Sequence, residues 1–276
     1  MVWFNIYLNV FNLLLIISVS NNSNIDYSTN GENWKGKCIE GKNQSPINIK
    51  TNQVQLISQT YFNLFLPNKA KINIDEKDQQ FIINSDKLGE VFFYLFSQNE
   101  QQHFNEYSDY VLSQMFFHSP SEHKIDYNSF DLEIQILGKF NYGSFKYKYI
   151  MFSLLFLSGN NNSTEINNFF KQILIDKDLN IDIKSLLQED LSNRETFMYE
   201  GSLTIPPCEE GILWFVFKNP QYISKEILDK FKNKWEINQM FAGGKGNNRK
   251  TQILNNRIIY SNIDRVQFKD GVKFLE

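Results

Sequence analysis

QMFFHSPSEHKIDYNSFDLEIQIL, residues 114–137, is the stretch on which the reading of this chain turns. Its two ends alternate as half-buried strands do, and a polar turn separates them. Successive side chains of a strand point to opposite faces, so Gln114, Phe116 and His118 share one face. Glu133 and Gln135 share a face of the strand that follows. Polar groups are costly to bury unless something pairs them. The stretch has the outline of a metal site, and the question is whether the ligands are there.

The same alternation recurs outward from it. "AKINIDE" (70–76), "FIINS" (81–85), "EVFFYLF" (90–96), "YKYIMFSLLFL" (147–157) and "GILWFVF" (211–217) are short period-2 runs bounded by turn residues. They predict a mainly β chain built on a large, mostly antiparallel sheet. Helices are few. "EINNFFKQIL" (165–174) places Ile166, Phe169, Phe170 and Ile173 on one stripe, and "SKEILDKFKNKW" (224–235) opens on Ser224, a good N-cap, with Ile227 and Phe231 four apart. No linker, repeat or composition break follows residue 20, so one domain over roughly 25–270 is the economical reading.

With 25 Phe and 13 Tyr among 276 residues, the chain can bury a sizeable core. Its 28 basic and 31 acidic residues give a net charge of −3 without a block of one sign. That argues against a nucleic-acid or polybasic membrane surface. "MVWFNIYLNVFNLLLIISVS" carries no charge through Ser20 and then turns polar. It reads as a signal peptide over 1–20, or as an uncleaved signal anchor on nearly the same residues. The two cysteines, Cys38 and Cys208, invite a disulfide in an exported chain, with two buried thiols as the alternative. Sequons at Asn21, Asn43, Asn161 and Asn162 fit export but add little in a chain so rich in Asn.

Four separated motifs carry a family likeness: "GENWKGKCIEGKNQSPINI" (31–49), "FFHSPSEH" (116–123), "GSLTIPPCEEGILWFVF" (201–217) and "NNRKTQILNNR" (247–257). In this order they resemble the α-carbonic anhydrases over nearly the whole of 21–276. The resemblance implies a single domain on a twisted, ten-stranded, mainly antiparallel sheet with a conical cleft. It also implies that Cys38 pairs with Cys208. The family hydrates CO2 with a zinc-bound hydroxide, the metal held by three imidazoles in the pattern Q-x-H-x-H…E-x-H. Here that pattern reads Gln114, Phe116, His118, then Glu133 and Gln135.

Only His118 keeps a ligand position. Phe116 has no donor atom, and a Gln135 carboxamide is a poor partner for zinc. Of the other histidines, His123 is expected to be a satisfied structural residue and His103 a loop residue. Thr204 and Glu122 match the family's hydroxide relay, and Asn247 and Arg249 match its C-terminal support for the cleft. Ile205 replaces a threonine common in the family, and "INSDKLG" (83–89) lacks the family's proton-shuttle histidine. Gln114 and Glu133 would be left behind missing imidazoles. Gln135 is expected to donate its amide to Glu133, and Phe116 to fill the lost ring's space.

The resemblance then implies a secreted carbonic-anhydrase-related protein, without zinc catalysis or cofactor, acting as a binding or assembly module for an unidentified protein partner. Two alternatives stay open: a zinc-dependent carbonic anhydrase with a weakened metal site, and a subunit of a membrane-associated assembly.

Overall fold

The computed structural model describes residues 25–56, 60–76, 80–96, 105–144, 146–159, 164–176, 179–187, 195–236 and 246–262. The apolar N-terminal segment, His103 and the sequons at Asn21, Asn161 and Asn162 lie outside these residues. Among the described residues no helix is long and apolar enough to cross a membrane.

In chain order the strands are β1 (Asn48–Ile49), β2 (Gln55–Leu56), β3 (Thr60–Phe65), β4 (Ala70–Lys71), β5 (Asn73–Asp75), β6 (Phe81–Phe96), β7 (Asn105–His118) and β8 (Lys124–Ile125). Then come β9 (Leu132–Gly143), β10 (Tyr149–Ser158), β11 (Asn180–Ile181), β12 (Thr196–Ser202), β13 (Glu210–Phe217), β14 (Gln221–Ile223) and β15 (Tyr260–Ser261). The main sheet runs β2-β15-β12-β13-β10-β9-β7-β6-β3, with β14 on β10 and β5 on β6. Among the described residues that makes eleven strands where the family likeness implied ten. The long central pairs β6–β7, β7–β9, β9–β10 and β12–β13 are antiparallel. Among the described residues of the main sheet, parallel pairing joins β10 to β13 and β14, and β15 to β2; the small β1–β8 pair is parallel as well. Two small sheets, β1–β8 and β4–β11, complete the set.

Alternation in β7 sorts its residues between two environments. Phe117 points to the side where the helices pack. Its ring stacks on Phe231 of α4 (Lys225–Glu236), which follows the short α3 (Lys184–Leu187), at 5.6 Å and meets Phe170 of α2 (Thr164–Lys171) at 6.5 Å. Phe81 and Phe156 close the same aromatic cluster, with edge contacts of 5.0 and 5.7 Å to Phe117 and Phe170. Ile166, Phe169, Phe170 and Ile173 are all buried, so the stripe read from the sequence is the packed face of this helix and of the π-helical turn (Gln172–Asp176) that continues it. Each fully buried side chain of this size contributes roughly 1.5–3 kcal/mol. The Ser224 hydroxyl accepts the Ile227 N–H at 3.3 Å and caps α4 as expected.

Gln114, Phe116 and His118 are left on the opposite face of β7. Opposite them in β9 stand Leu137, Gln135 and Glu133, and β10 places Ser153 beside Gln135. A register shift between Leu112 and Gln114 sets this alignment. The Cys38–Cys208 disulfide is formed across 170 residues and ties the short helix α1 (Lys37–Glu40) to the loop after β12.

Candidate functional site

The site is a polar cluster on the floor of this face, with every member nearly sealed from solvent. His118, Glu122, Glu133, Gln135 and Thr204 are each at most 2% exposed. Burial at that depth demands that each polar atom find a partner.

Glu133 is re-paired rather than stranded. Its Oε2 accepts the backbone N–H groups of Glu122 and His123, both at 2.8 Å. Its Oε1 accepts His123 Nδ1 at 2.7 Å, Ser153 Oγ at 2.9 Å and Gln135 Nε2 at 3.0 Å. Burial pushes this carboxyl up, but the His123 imidazole, its two hydrogen bonds and the more distant His118 outweigh that and hold it at about 2. It is therefore an ionised carboxylate in neutral solution.

A carboxylate can only accept, so His123 carries a proton on Nδ1 and donates it to Glu133. Tyr199 Oη lies 2.7 Å from His123 Nε2, and Ser45 Oγ lies 2.8 Å from Tyr199 Oη. Burial pushes the Tyr199 hydroxyl far up, so it keeps its proton to donate. His123 is the satisfied structural histidine that the sequence suggested.

Gln135 has no atom to spare. Its Nε2 donates to Glu122 Oε2 at 2.8 Å as well as to Glu133, and its Oε1 accepts the Thr204 hydroxyl at 3.1 Å. The expected bond to Glu133 is present. The direct Thr204–Glu122 relay implied by the family likeness is not: Gln135 stands between the two. The cause is chemical. A carboxamide carries both a donor and an acceptor, so it satisfies the carboxylates with one end and the hydroxyl with the other.

His118 is oriented from the C-terminal segment. Its Nδ1 donates to the Asn247 carbonyl at 2.9 Å, with Glu122 Oε1 at 3.5 Å. The Asn247 side chain bonds the Ser119 N–H at 3.0 Å and the Phe117 carbonyl at 2.9 Å, so it is pinned to the end of β7. Gly246, at φ 130°, makes this close approach possible, because a Cβ there would land on the Ser119 carbonyl oxygen. His118 Nε2 is buried and has no hydrogen-bond partner.

Gln114 gives its Nε2 to Asn84 Oδ1 at 2.7 Å, and its Oε1 is likewise buried without a partner. Phe116 is 7% exposed and belongs to the hydrophobic core. Asn43 is half-buried, and Ser45, the residue its sequon depends on, is sealed.

Arg249 fastens the cluster to the N-terminal loop. Its backbone N–H donates to Glu122 Oε1 at 2.7 Å. Its guanidinium reaches Gln44 Oε1 and the carbonyls of Ser45 and Cys38 at 2.6–3.0 Å. The "QSPI" motif is thus a hydrogen-bonded clasp. Sequence reasoning missed Ser153, Asn84, Tyr199 and Gly246. Ser153 could have been found by aligning β10 with β9, where it faces Gln135.

A resident zinc ion does not fit these residues. His118 Nε2 is one suitable donor, Phe116 supplies none, and both ends of the Gln135 amide are already engaged. Among the described residues no three His, Cys, Asp or Glu side chains converge on a metal position.

Comparison with known proteins places this architecture. The family model for eukaryotic-type carbonic anhydrase matches residues 29–263. A carbonic anhydrase of Pectobacterium atrosepticum is 32% identical over 228 residues, 80% of this chain and 81% of that protein. Dioscorin DB3S of Dioscorea polystachya is 30% identical over 218 residues, 75% of this chain and 76% of its own. Among solved structures, the α-carbonic anhydrase of Thermovibrio ammonificans in complex with the inhibitor sulfanilamide superposes with a TM-score of 0.61 at 26% identity, covering 81% of this chain and 89% of that one.

Proposed function

We propose that this chain, which belongs to the eukaryotic-type (alpha) carbonic anhydrase family, is an exported member that uses the fold as a binding or assembly module and not for zinc-hydroxide chemistry. The observation that carries the proposal is the engagement of Gln135. Where the family pattern has its third imidazole, this chain has an amide whose hydrogen bonds satisfy Glu122, Glu133 and Thr204. Phe116 in the first ligand position removes a second donor, and losing even an outer-sphere group costs about 10–100-fold in metal affinity. The Cys38–Cys208 bridge supports passage through an oxidising compartment.

A second reading has one observation in its favour. His118 Nε2 is unpartnered and oriented by Asn247, as a ligand would be, which suits a carbonic anhydrase with a weakened, atypical metal site. One experiment separates the two. Zinc content and CO2 hydration are measured for the purified protein and for the double variant Phe116→His/Gln135→His. The proposal expects no stoichiometric zinc and no hydration in the natural sequence, with zinc binding gained in the double variant. Stoichiometric zinc with rapid hydration in the natural sequence overturns it.

A further inference from the structure

The two ends of the main sheet are consecutive in the chain. Among the described residues β2 ends at Leu56 and pairs only with β15, while β3 begins at Thr60 and pairs only with β6. From Leu56 to Thr60 the chain reaches at most about 15 Å. Laid flat, the strand path from β2 to β3 would hold them about 38 Å apart at the usual strand spacing. The sheet therefore curls until β2 and β3 follow one another along a single line. Inward from the two ends lead opposite ways round that curl, so β15 flanks the line on one side and β6 on the other.

Along β3 the side away from β6 carries no partner strand among the described residues, and it is the side on which β15 ends. β15 runs parallel to β2 with Ser261 opposite Leu56, so the chain leaves β15 heading along β3. Carried forward, that register sets Arg265 beside Thr60 and Phe268 beside Asn63. This part of the sheet also offers an apolar surface. Asn63 is paired with Phe92, and Phe65 lies two residues on, so the three share one face. Phe65 is 58% exposed there and meets half-buried Phe92 edge-on, with 5.0 Å between ring centres.

Residues 263–276 lie outside the described residues, but their sequence suits this place. RVQFKDGVKFL (265–275) alternates in period 2, with Val266, Phe268, Val272 and Phe274 on one face. Lys269, Asp270 and Gly271 read as a three-residue hairpin loop with glycine last, which sets Val266 opposite Phe274 and Phe268 opposite Val272. So short a hairpin is marginal alone and needs a sheet to join.

We propose that segment 263–276 of this chain pairs in parallel with the outer edge of β3, residues 265–268 beside 60–63 and 272–275 outside them, and seals that edge against other chains. Phe268 then covers the face of Phe65 and Phe92. An open edge strand is a template for pairing with another copy, and covering it keeps copies apart. The proposal is independent of what the polar floor binds.

The test follows amide exchange by NMR in the full chain, with its mass measured by light scattering. The natural chain is expected to be a monomer. Amides of 60–65 that point away from β6 are expected to exchange at least about tenfold more slowly in it than in Phe268→Asp, the worth of one backbone hydrogen bond. A chain cut after Asn262 is expected to lose the same protection and to associate as concentration rises. Phe268→Asp alters none of the described core residues, so it keeps the test sound if the cut chain fails to fold. Fast exchange of those amides in the natural chain, or equal protection in Phe268→Asp, overturns the proposal. So does a dimer whose dilution strips the protection, because the edge then belongs to a second copy. A folded cut chain that stays monomeric at every concentration overturns the sealing role.

Discussion

Replacing Gln135 by Leu removes a group that serves three buried partners with almost no change in volume. Glu122 Oε2 loses a donor at 2.8 Å, Glu133 Oε1 loses one at 3.0 Å, and the Thr204 hydroxyl loses its acceptor at 3.1 Å. Hydrogen bonds to charged groups are each worth about 1.5–3 kcal/mol, and a buried hydroxyl without a partner costs about 1 kcal/mol or more. Glu133 keeps its other four bonds and Glu122 keeps that from Arg249, so the losses do not simply add. A destabilisation of about 3 kcal/mol is expected. For a domain of this size that is a fall of roughly 6–12 °C in Tm.

Urea and thermal unfolding of the two proteins at neutral pH provide the measurement. A loss below about 1 kcal/mol at neutral pH would show that the carboxylates do not depend on Gln135, and the account of the site would fail with it.

Glu133 makes the natural protein acid-labile in a defined window. Its carboxyl is held at about 2 against an ordinary 4.5, so its contribution is complete above about pH 4.5 and drains away as pH falls toward 2. Urea midpoints across that range should fall, and the fall should be smaller in Glu133→Gln. Reducing the Cys38–Cys208 bridge, or replacing both cysteines by Ala, should cost up to about 5 kcal/mol in the chain-entropy picture for a 170-residue loop, read as a shifted urea midpoint. Gly246→Ala should cost about 2 kcal/mol or more, since its Cβ meets the Ser119 carbonyl at a φ that Ala rarely adopts. The same variant should shift the His118 ring signals in NMR, because Asn247 moves with its neighbour.

The sheet was legible in the sequence because its strands are written in period 2 and their rows carry few alternatives. Phe117 and Phe116 could be sent to opposite faces from alternation alone. That Phe116 offers a metal no donor atom was equally plain, since a residue type either has one or does not. The rewiring of Thr204 onto Gln135 was not legible. It depends on which of several buried partners a carboxamide satisfies at once, and that is a property of three strands and a loop brought together. Gly246 was hidden for a similar reason: what excludes a side chain there is a carbonyl over a hundred residues away along the chain.

The span of the clasp formed by Asn247 and Arg249 has a kinetic consequence. Its bonds cross 127–130 residues to reach the end of β7 and 204–211 to reach Cys38, Gln44 and Ser45. Contacts so distant along the chain form late, because the entropy of closing such large loops must be met before they bring any return. Before the clasp docks, His118 has no orienting carbonyl and Glu122 Oε1 lacks the Arg249 N–H, so the nascent sheet must wait with ionisable groups half-solvated. The floor of this protein is therefore the last part to set, and its assembly reports completion of the fold rather than its beginning.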